Sequence, residues 1–310
     1  MKRILCATDL LAKSEAAIDR AALIANDVGA DLSLLHVVVP MNSELDLEQT
    51  LRSAIQNMKS RSRPPRWRAG PAPNVIVRAG QPSRVILDTV KEHKIRLLVM
   101  GPHRKGSLHD TLEGTVAARV LASRRCPVLF AQGSSRSPYR NVLLALDLSS
   151  VSAAAVRAAD GLAITRTAEV SVVHAYEPPY QGMLQHAGVG VGAIVACAEG
   201  WKREADTAVR DFLKWQNAGF TRYEVMIEEG HAAAAILRTA RRVQPDLLVM
   251  GTRGRGRARR ALLGSVANEV LHQIECDVLV VPHGSFDGDT RNKMPSTRAR
   301  GARAESRVIS

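Results

Sequence analysis

Aromatic residues are scarce in this 310-residue chain: four Phe, four Tyr and three Trp. Without aromatic side chains interleaved among the basic ones there is no stacking platform for bases. Nucleic-acid binding is therefore a secondary reading, despite a formal net charge of +13. The four cysteines, Cys6, Cys126, Cys197 and Cys276, form no C-x-x-C pair. They read as small core residues of a reduced compartment. No stretch approaches the ~20 consecutive apolar residues that a membrane crossing requires. The apolar start Ile4-Leu-Cys-Ala-Thr is cut by Asp9 and reads as a strand, not a leader peptide. A soluble cytoplasmic protein with no membrane partner is expected. The two common nucleotide signatures, the Walker A loop and G-x-G-x-x-G, are also missing. Gly188-Val-Gly-Val-Gly lacks the preceding strand and following helix of a dinucleotide fingerprint.

What the chain does have is an internal repeat. Arg96-Leu-Leu-Val-Met-Gly101 aligns with Asp246-Leu-Leu-Val-Met-Gly251, and the same offset carries Gly80 to Gly230, Gly114-Thr115 to Gly264-Ser265 and Cys126-Pro-Val-Leu to Cys276-Asp-Val-Leu. Nearer the start the offset is shorter. Ile4-Leu-Cys-Ala-Thr-Asp9 pairs with Val142-Leu-Leu-Ala-Leu-Asp147, and His36 with His174. The second copy thus carries an insertion, placed at 178–197 and read as a flexible or partner-contacting segment. Two domains of ordinary size follow. The first is 1–133 and the second 140–283, joined by a small polar linker at 134–139. The stretch 284–310 loses apolar periodicity and collects Arg, Ser, Gly and Asp, as a disordered basic tail does.

Within the first copy, short apolar runs alternate with stretches of helical spacing. Strands are expected at 3–8, 32–39, 74–78, 97–100 and 128–131, and helices at 14–28, 44–59, 83–94 and 115–123. Runs such as Leu-Leu-Val-Met are apolar on both faces, as strands covered on both sides must be. Each copy reads as a five-stranded parallel α/β sandwich, Rossmann-like in its alternation. Ligands in such open sheets sit at the carboxyl ends of the strands. Asp9, Asp147, Gly101 and Gly251 fall at those ends.

The candidate site is built around Gly251-Thr-Arg-Gly254, nine residues, then Gly264-Ser265. Glycines let the backbone approach an anion, the N–H groups of a helix start favour negative charge, and Ser265 adds a hydroxyl at the expected cap position. Turn-making alone is the competing account of these glycines. The basic loops 253–260 and 103–109 would both attract anions, although a solvated loop surface is the default account of such charge. Asp9 and Asp147 read as capping or ligand residues, two roles that are compatible. His36 and His174 read as satisfied core groups.

The ordered set of G-x-x-G, nine residues, G-S/T, an aspartate closing strand one, a Leu-Leu-His-Val-like second strand and a C-P-V-L-like last strand resembles the universal stress protein family over both copies. The resemblance implies a sheet order of 3-2-1-4-5 in each domain, pairing of the two copies as a pseudo-dimer, a further homodimer through strand-five edges, and, in one branch, ATP binding. In the second copy it implies phosphates held by Gly251, Arg253, Gly254, Gly264 and Ser265 with the N–H groups of Val266 and Ala267. Adenosine would be bordered by Ala145, Leu146, Asp147, Ala175 and Met250. Mg²⁺ would accompany the phosphates. The first copy has Arg104 where the motif has its second glycine, so Asp9, Val37, Gly101, Arg104, Gly114 and Thr115 make a degenerate site. A regulatory, ATP-binding stress-response module with an unidentified protein partner is the favoured function. A weak ATPase or phosphotransferase is the alternative, but no Walker lysine or evident general base is present and Asp147 is the only carboxylate placed at the phosphate end.

Overall fold

The computed structural model describes residues 3–40, 44–61, 71–101, 115–133, 137–177, 191–217, 222–252 and 264–283. The first repeat runs β1 (Arg3–Thr8), α1 (Glu15–Val28), β2 (Asp31–Val38), α2 (Glu44–Arg61), β3 (Asn74–Ala79), α3 (Pro82–Glu92), β4 (Leu97–Met100), α4 (Val116–Ser123) and β5 (Val128–Phe130). The second runs β6 (Asn141–Ala145), α5 (Ser150–Gly161), β7 (Glu169–Tyr176), α6 (Val191–Trp215), β8 (Tyr223–Glu229), α7 (Ala232–Val243), β9 (Leu247–Gly251), α8 (Ser265–Gln273) and β10 (Asp277–Val281). The alternation of strand and helix expected from periodicity is present in both.

All ten strands join one sheet in the order β3-β2-β1-β4-β5-β10-β9-β6-β7-β8. Neighbours within a repeat are parallel, while β5 and β10 meet antiparallel, with Phe130 opposite Val278, Leu129 opposite Leu279 and Val128 opposite Val280. Exchanging each residue for its repeat counterpart maps this register onto itself. A pseudo-twofold axis therefore passes between Leu129 and Leu279. The expectation of a further homodimer through strand-five edges needs correction here. Those edges are already joined to each other within the chain, and a strand side that is paired offers no ladder to another.

Side chains alternate across the strands, so one strand feeds two cores. Ile4, Cys6, Val99, Leu144 and Val249 pack beneath α1, α2, α5 and α6 on one face, whereas Leu5, Leu98, Leu143 and Leu248 pack beneath α3, α4, α7 and α8 on the other. Each core contains residues of both repeats and so runs unbroken across the seam.

One buried polar cluster crosses that seam. Arg20 of α1 donates from Nε to Asp277 Oδ2 at 3.1 Å and from Nη1 to the Ser137 carbonyl at 2.8 Å, and its guanidinium lies 3.9 Å from the Tyr139 ring centre. Tyr139 donates its hydroxyl to the same carboxylate oxygen at 2.7 Å, and the amides of Gln132 and Gly133 donate to Oδ1 at 2.7 and 3.0 Å. The Arg20 and Asp277 side chains are only 3% and 2% exposed, so their charges are taken out of water and answered by each other.

Two other expectations change. Val191 to Cys197, placed in a flexible insertion, form the opening turns of α6, whose apolar positions recur at helical spacing; residues 178–190 lie outside the described residues. Of the four cysteines, Cys6 and Cys126 are buried and Cys276 half-buried, but Cys197 is exposed on α6. Burial pushes the Cys6, Cys126 and Cys276 thiols up to about 12. The expected tail at 284–310 lies outside the described residues.

Candidate functional site

Strands β6 and β9 are neighbours, with Ala145 opposite Met250. Between them the order of connection reverses, since β7 lies on one side and β10 on the other. Such a switch point opens a crevice at the carboxyl ends of the strands. Ala145 ends β6 and is buried, Leu146 and Asp147 follow it, and Gly251 ends β9. Ala175 lies one strand further out, half-buried near the end of β7.

The helix start is tied to the same crevice. The Gly264 amide donates to the Thr252 carbonyl at 2.8 Å, and the Thr252 amide donates to the Val281 carbonyl at 3.0 Å. Gly264 is the N-cap of α8, in extended conformation and without a side-chain cap. The expected cap at Ser265 is thus corrected: Ser265 is the first helical residue and is exposed, with Val266 half-buried and Ala267 buried behind it. With no side chain of the described residues closing this end, its helix-start N–H groups are open to an anion. Arg253 and Gly254 lie outside the described residues.

Asp147 takes the turn role foreseen for it. Its Oδ1 accepts from the Ser149 amide at 3.2 Å, from Ser149 Oγ at 2.6 Å and from Ser152 Oγ at 2.5 Å. Ser149 in turn caps α5 by accepting from the Ser152 amide at 3.2 Å. Its other oxygen, Oδ2, is buried and has no hydrogen-bond partner among the described residues. A buried carboxylate oxygen left without a donor costs about 1–3 kcal/mol. A nucleoside hydroxyl or amino group is a donor of the right kind to meet it.

The first repeat repeats this arrangement. Asp9 Oδ1 accepts from the Leu11 amide at 3.0 Å and from Ser14 Oγ at 2.5 Å. Thr115 caps α4, its hydroxyl accepting from the Ala118 amide at 3.1 Å, so here the side chain expected at the phosphates also closes the helix. Asp9, Val37, Gly101 and Thr115 all line one cavity of about 490 Å³, within the range of small-ligand sites. Its walls are mainly apolar, from Ala7, Leu35, Val39, Ile86, Met100 and Phe130, with Thr8, Ser14 and His36 as polar points. Arg104 and Gly114 lie outside the described residues.

His36 and His174 each have one ring nitrogen bonded, but they are half-buried and not the core groups expected, and His36 lines the cavity. Each Nδ1 donates to a strand-one carbonyl, of Thr8 at 2.8 Å and of Leu146 at 2.7 Å, which makes Nε2 the acceptor in the neutral ring.

Sequence reasoning missed a strained position in each site. Leu10 and Leu148, repeat counterparts directly after the aspartates, have φ of 63° and 60°. Leucine disfavours this left-handed conformation, and such residues cluster at functional sites. In the first repeat the turn is held by the Leu10 amide on Thr8 Oγ1 at 3.1 Å and by Arg61 Nη2 on the Leu10 carbonyl at 2.9 Å. Nothing about a leucine signals this; only recurrence in both copies could have. Ser14 and Ser152, which hold the aspartates, were missed as well, although a serine recurs five residues downstream of each.

Comparison with known proteins agrees with this fold. The model of the universal stress protein family matches residues 1–132 and again 138–282. The chain is 25% identical to a universal stress protein of Mycolicibacterium smegmatis over 299 residues, 90% of this chain and 96% of that relative. It is 31% identical to one from Methanocaldococcus jannaschii over 144 residues, 46% of this chain and 82% of that relative. A solved universal stress protein from Archaeoglobus fulgidus superposes with a TM-score of 0.66 at 20% identity, over 90% of this chain and 96% of that one, and shares the fold.

Proposed function

The chain belongs to the universal stress protein family, and from that premise we propose that it is a regulatory protein that binds ATP in its second repeat. The observation carrying this reading is Asp147 Oδ2, a buried carboxylate oxygen without a donor at the switch point. It lies at the end of the strand beside β9, whose continuation is bonded to the side-chain-free start of α8. Adenosine would lie against Ala145, Leu146, Ala175 and Met250, with a donor to Asp147. The phosphates would face Gly251, Gly264, Ser265 and the N–H groups of Val266 and Ala267, together with Arg253 and Gly254 of the motif. Mg²⁺ would enter on the phosphates, since no group of three or more His, Cys, Asp or Glu is assembled to hold a metal among the described residues. The first repeat, with Arg104 at the motif's glycine, binds ATP more weakly, although its cavity suits a nucleoside.

Regulation is preferred to catalysis because the sequence has no Walker lysine, and Asp147, the carboxylate proposed at the site, has its Oδ1 committed to three hydrogen bonds in its own turn. The test is the nucleotide released on denaturing the purified protein, together with ATP titration, for wild type and Gly254→Arg. One ATP per chain, lost in the variant, is the expected result. No nucleotide and no binding on titration would sink the proposal. Phosphate release that continues at steady state and collapses in Asp147→Asn would replace regulation with hydrolysis.

A further inference from the structure

The pseudo-twofold seam is symmetric in backbone and asymmetric in charge. Asp277, at the first position of β10, corresponds to Pro127 before β5, and Arg20 of α1 corresponds to Ala158 of α5. Gln132, whose amide serves Asp277, corresponds to Pro282, which has no amide hydrogen. The buried pair therefore exists on one side of the axis only.

We propose that Arg20, Tyr139 and Asp277 form a pairing code, which seats strand five of a first repeat against strand five of a second repeat and rejects an identical edge from another copy of this chain. In the observed register, two first repeats would each bury Arg20 against Pro127 of the other copy. Two second repeats would each bury Asp277 against Ala158, with Pro282 in place of the Gln132 donor. Either arrangement strands two charges that are almost wholly buried here, and an uncompensated buried charge is among the costliest defects a protein interface can carry. Among the described residues the paired strands themselves discriminate little. The facing strands are Val-Leu-Phe and Val-Leu-Val, and their register is unchanged by the exchange of repeats. Backbone pairing and apolar burial would serve like repeats as well as unlike ones, so partner choice falls to the charges.

The full chain tests this through position 279, which faces Leu129 in the observed seam and would face its own copy across a seam of two second repeats. Leu279→Cys alone should remain a 33.6 kDa monomer under mild oxidation and form no covalent dimer. Adding Asp277→Pro removes the charge that second repeats cannot bury together, and disulfide-linked dimer should become the main species on a non-reducing gel. Leu129→Cys with Arg20→Ala is the reciprocal pair for first repeats. Wild type treated alongside accounts for the native cysteines, and far-UV circular dichroism identifies which variants are folded; if one is not, the other decides. Covalent dimer from Leu279→Cys or Leu129→Cys alone, in the presence of the charges, would overturn the code. So would folded charge variants that stay monomeric, since the cluster would then stabilise the seam without selecting its partner.

Discussion

Asp277 accepts four hydrogen bonds, from Arg20, Tyr139 and the amides of Gln132 and Gly133, whereas Arg20 is seen to donate to one carboxylate and one carbonyl. This imbalance makes the two halves of the pair unequal under mutation. Asp277→Ala leaves a buried guanidinium without its anion, a defect that costs about 3–5 kcal/mol when a buried pair is broken. It also removes the acceptor of two amides, each worth roughly 1 kcal/mol. Arg20→Met replaces the guanidinium by an apolar chain of similar reach and leaves Asp277 with three donors, so its cost should be smaller, about 2–3 kcal/mol. In the double variant no buried charge remains, and the loss should fall well below the sum of the two, with a coupling of about 2–4 kcal/mol. Urea unfolding followed by tryptophan fluorescence and by circular dichroism gives the four midpoints of this cycle. Additive losses, or an Asp277→Ala cost under about 1 kcal/mol, would refute the account of the seam as a charge pair sustained by its own donors.

Gly80 and Gly230 close β3 and β8 with φ of 140° and 100°, a region that residues with a Cβ rarely adopt. Alanine at either position should cost about 1–3 kcal/mol in the same assay, and Gly80→Ala should be the worse, because its Cβ would stand 3.0 Å from Val85 Cγ2. A thiol reagent added to the folded protein should label Cys197 quickly and Cys6 and Cys126 only after unfolding, as read by mass spectrometry; prompt labelling of Cys6 would contradict its burial. Stability should fall in alkali. The Cys6, Cys126 and Cys276 thiols are raised from 9.0 to about 12 by burial, and Tyr139 is raised well above 10.0 by burial and the nearby Asp277. Between those values the unfolded chain releases protons that the folded chain retains, so unfolding becomes easier as pH rises from about 9 towards 12. A urea midpoint that does not move over that interval would refute it.

The repeat, the α/β class and the placing of the candidate residues at strand ends were legible because they depend on short-range pattern. A run such as Leu97-Leu-Val-Met is a doubly covered strand wherever it occurs, and two aligned copies report one fold twice. The family resemblance named Asp9, Val37, Gly101 and Thr115, and the structure gathers these four in one cavity. Capping was read one residue late at Ser265, because glycine and serine both suit the N-cap and the choice depends on where the chain is anchored, here through Gly264 to Thr252. The left-handed turns at Leu10 and Leu148 could not be read, since their cost is met by surrounding contacts and not by residue type.

By itself, then, the sequence determined two α/β repeats, the elements of the first, and the glycine and aspartate positions at their strand ends. These follow from periodicity and local backbone chemistry, while the family came from the likeness of the ordered motifs. Only the tertiary structure decided that the two sheets are one, that their fifth strands close each other's edges, and that Arg20 answers Asp277 across 257 positions of chain. Asp277 looks, in sequence, like an idle departure from the proline at 127. A long-range partner leaves no periodic trace, and a buried charge is recognisable only when the group that neutralises it is seen.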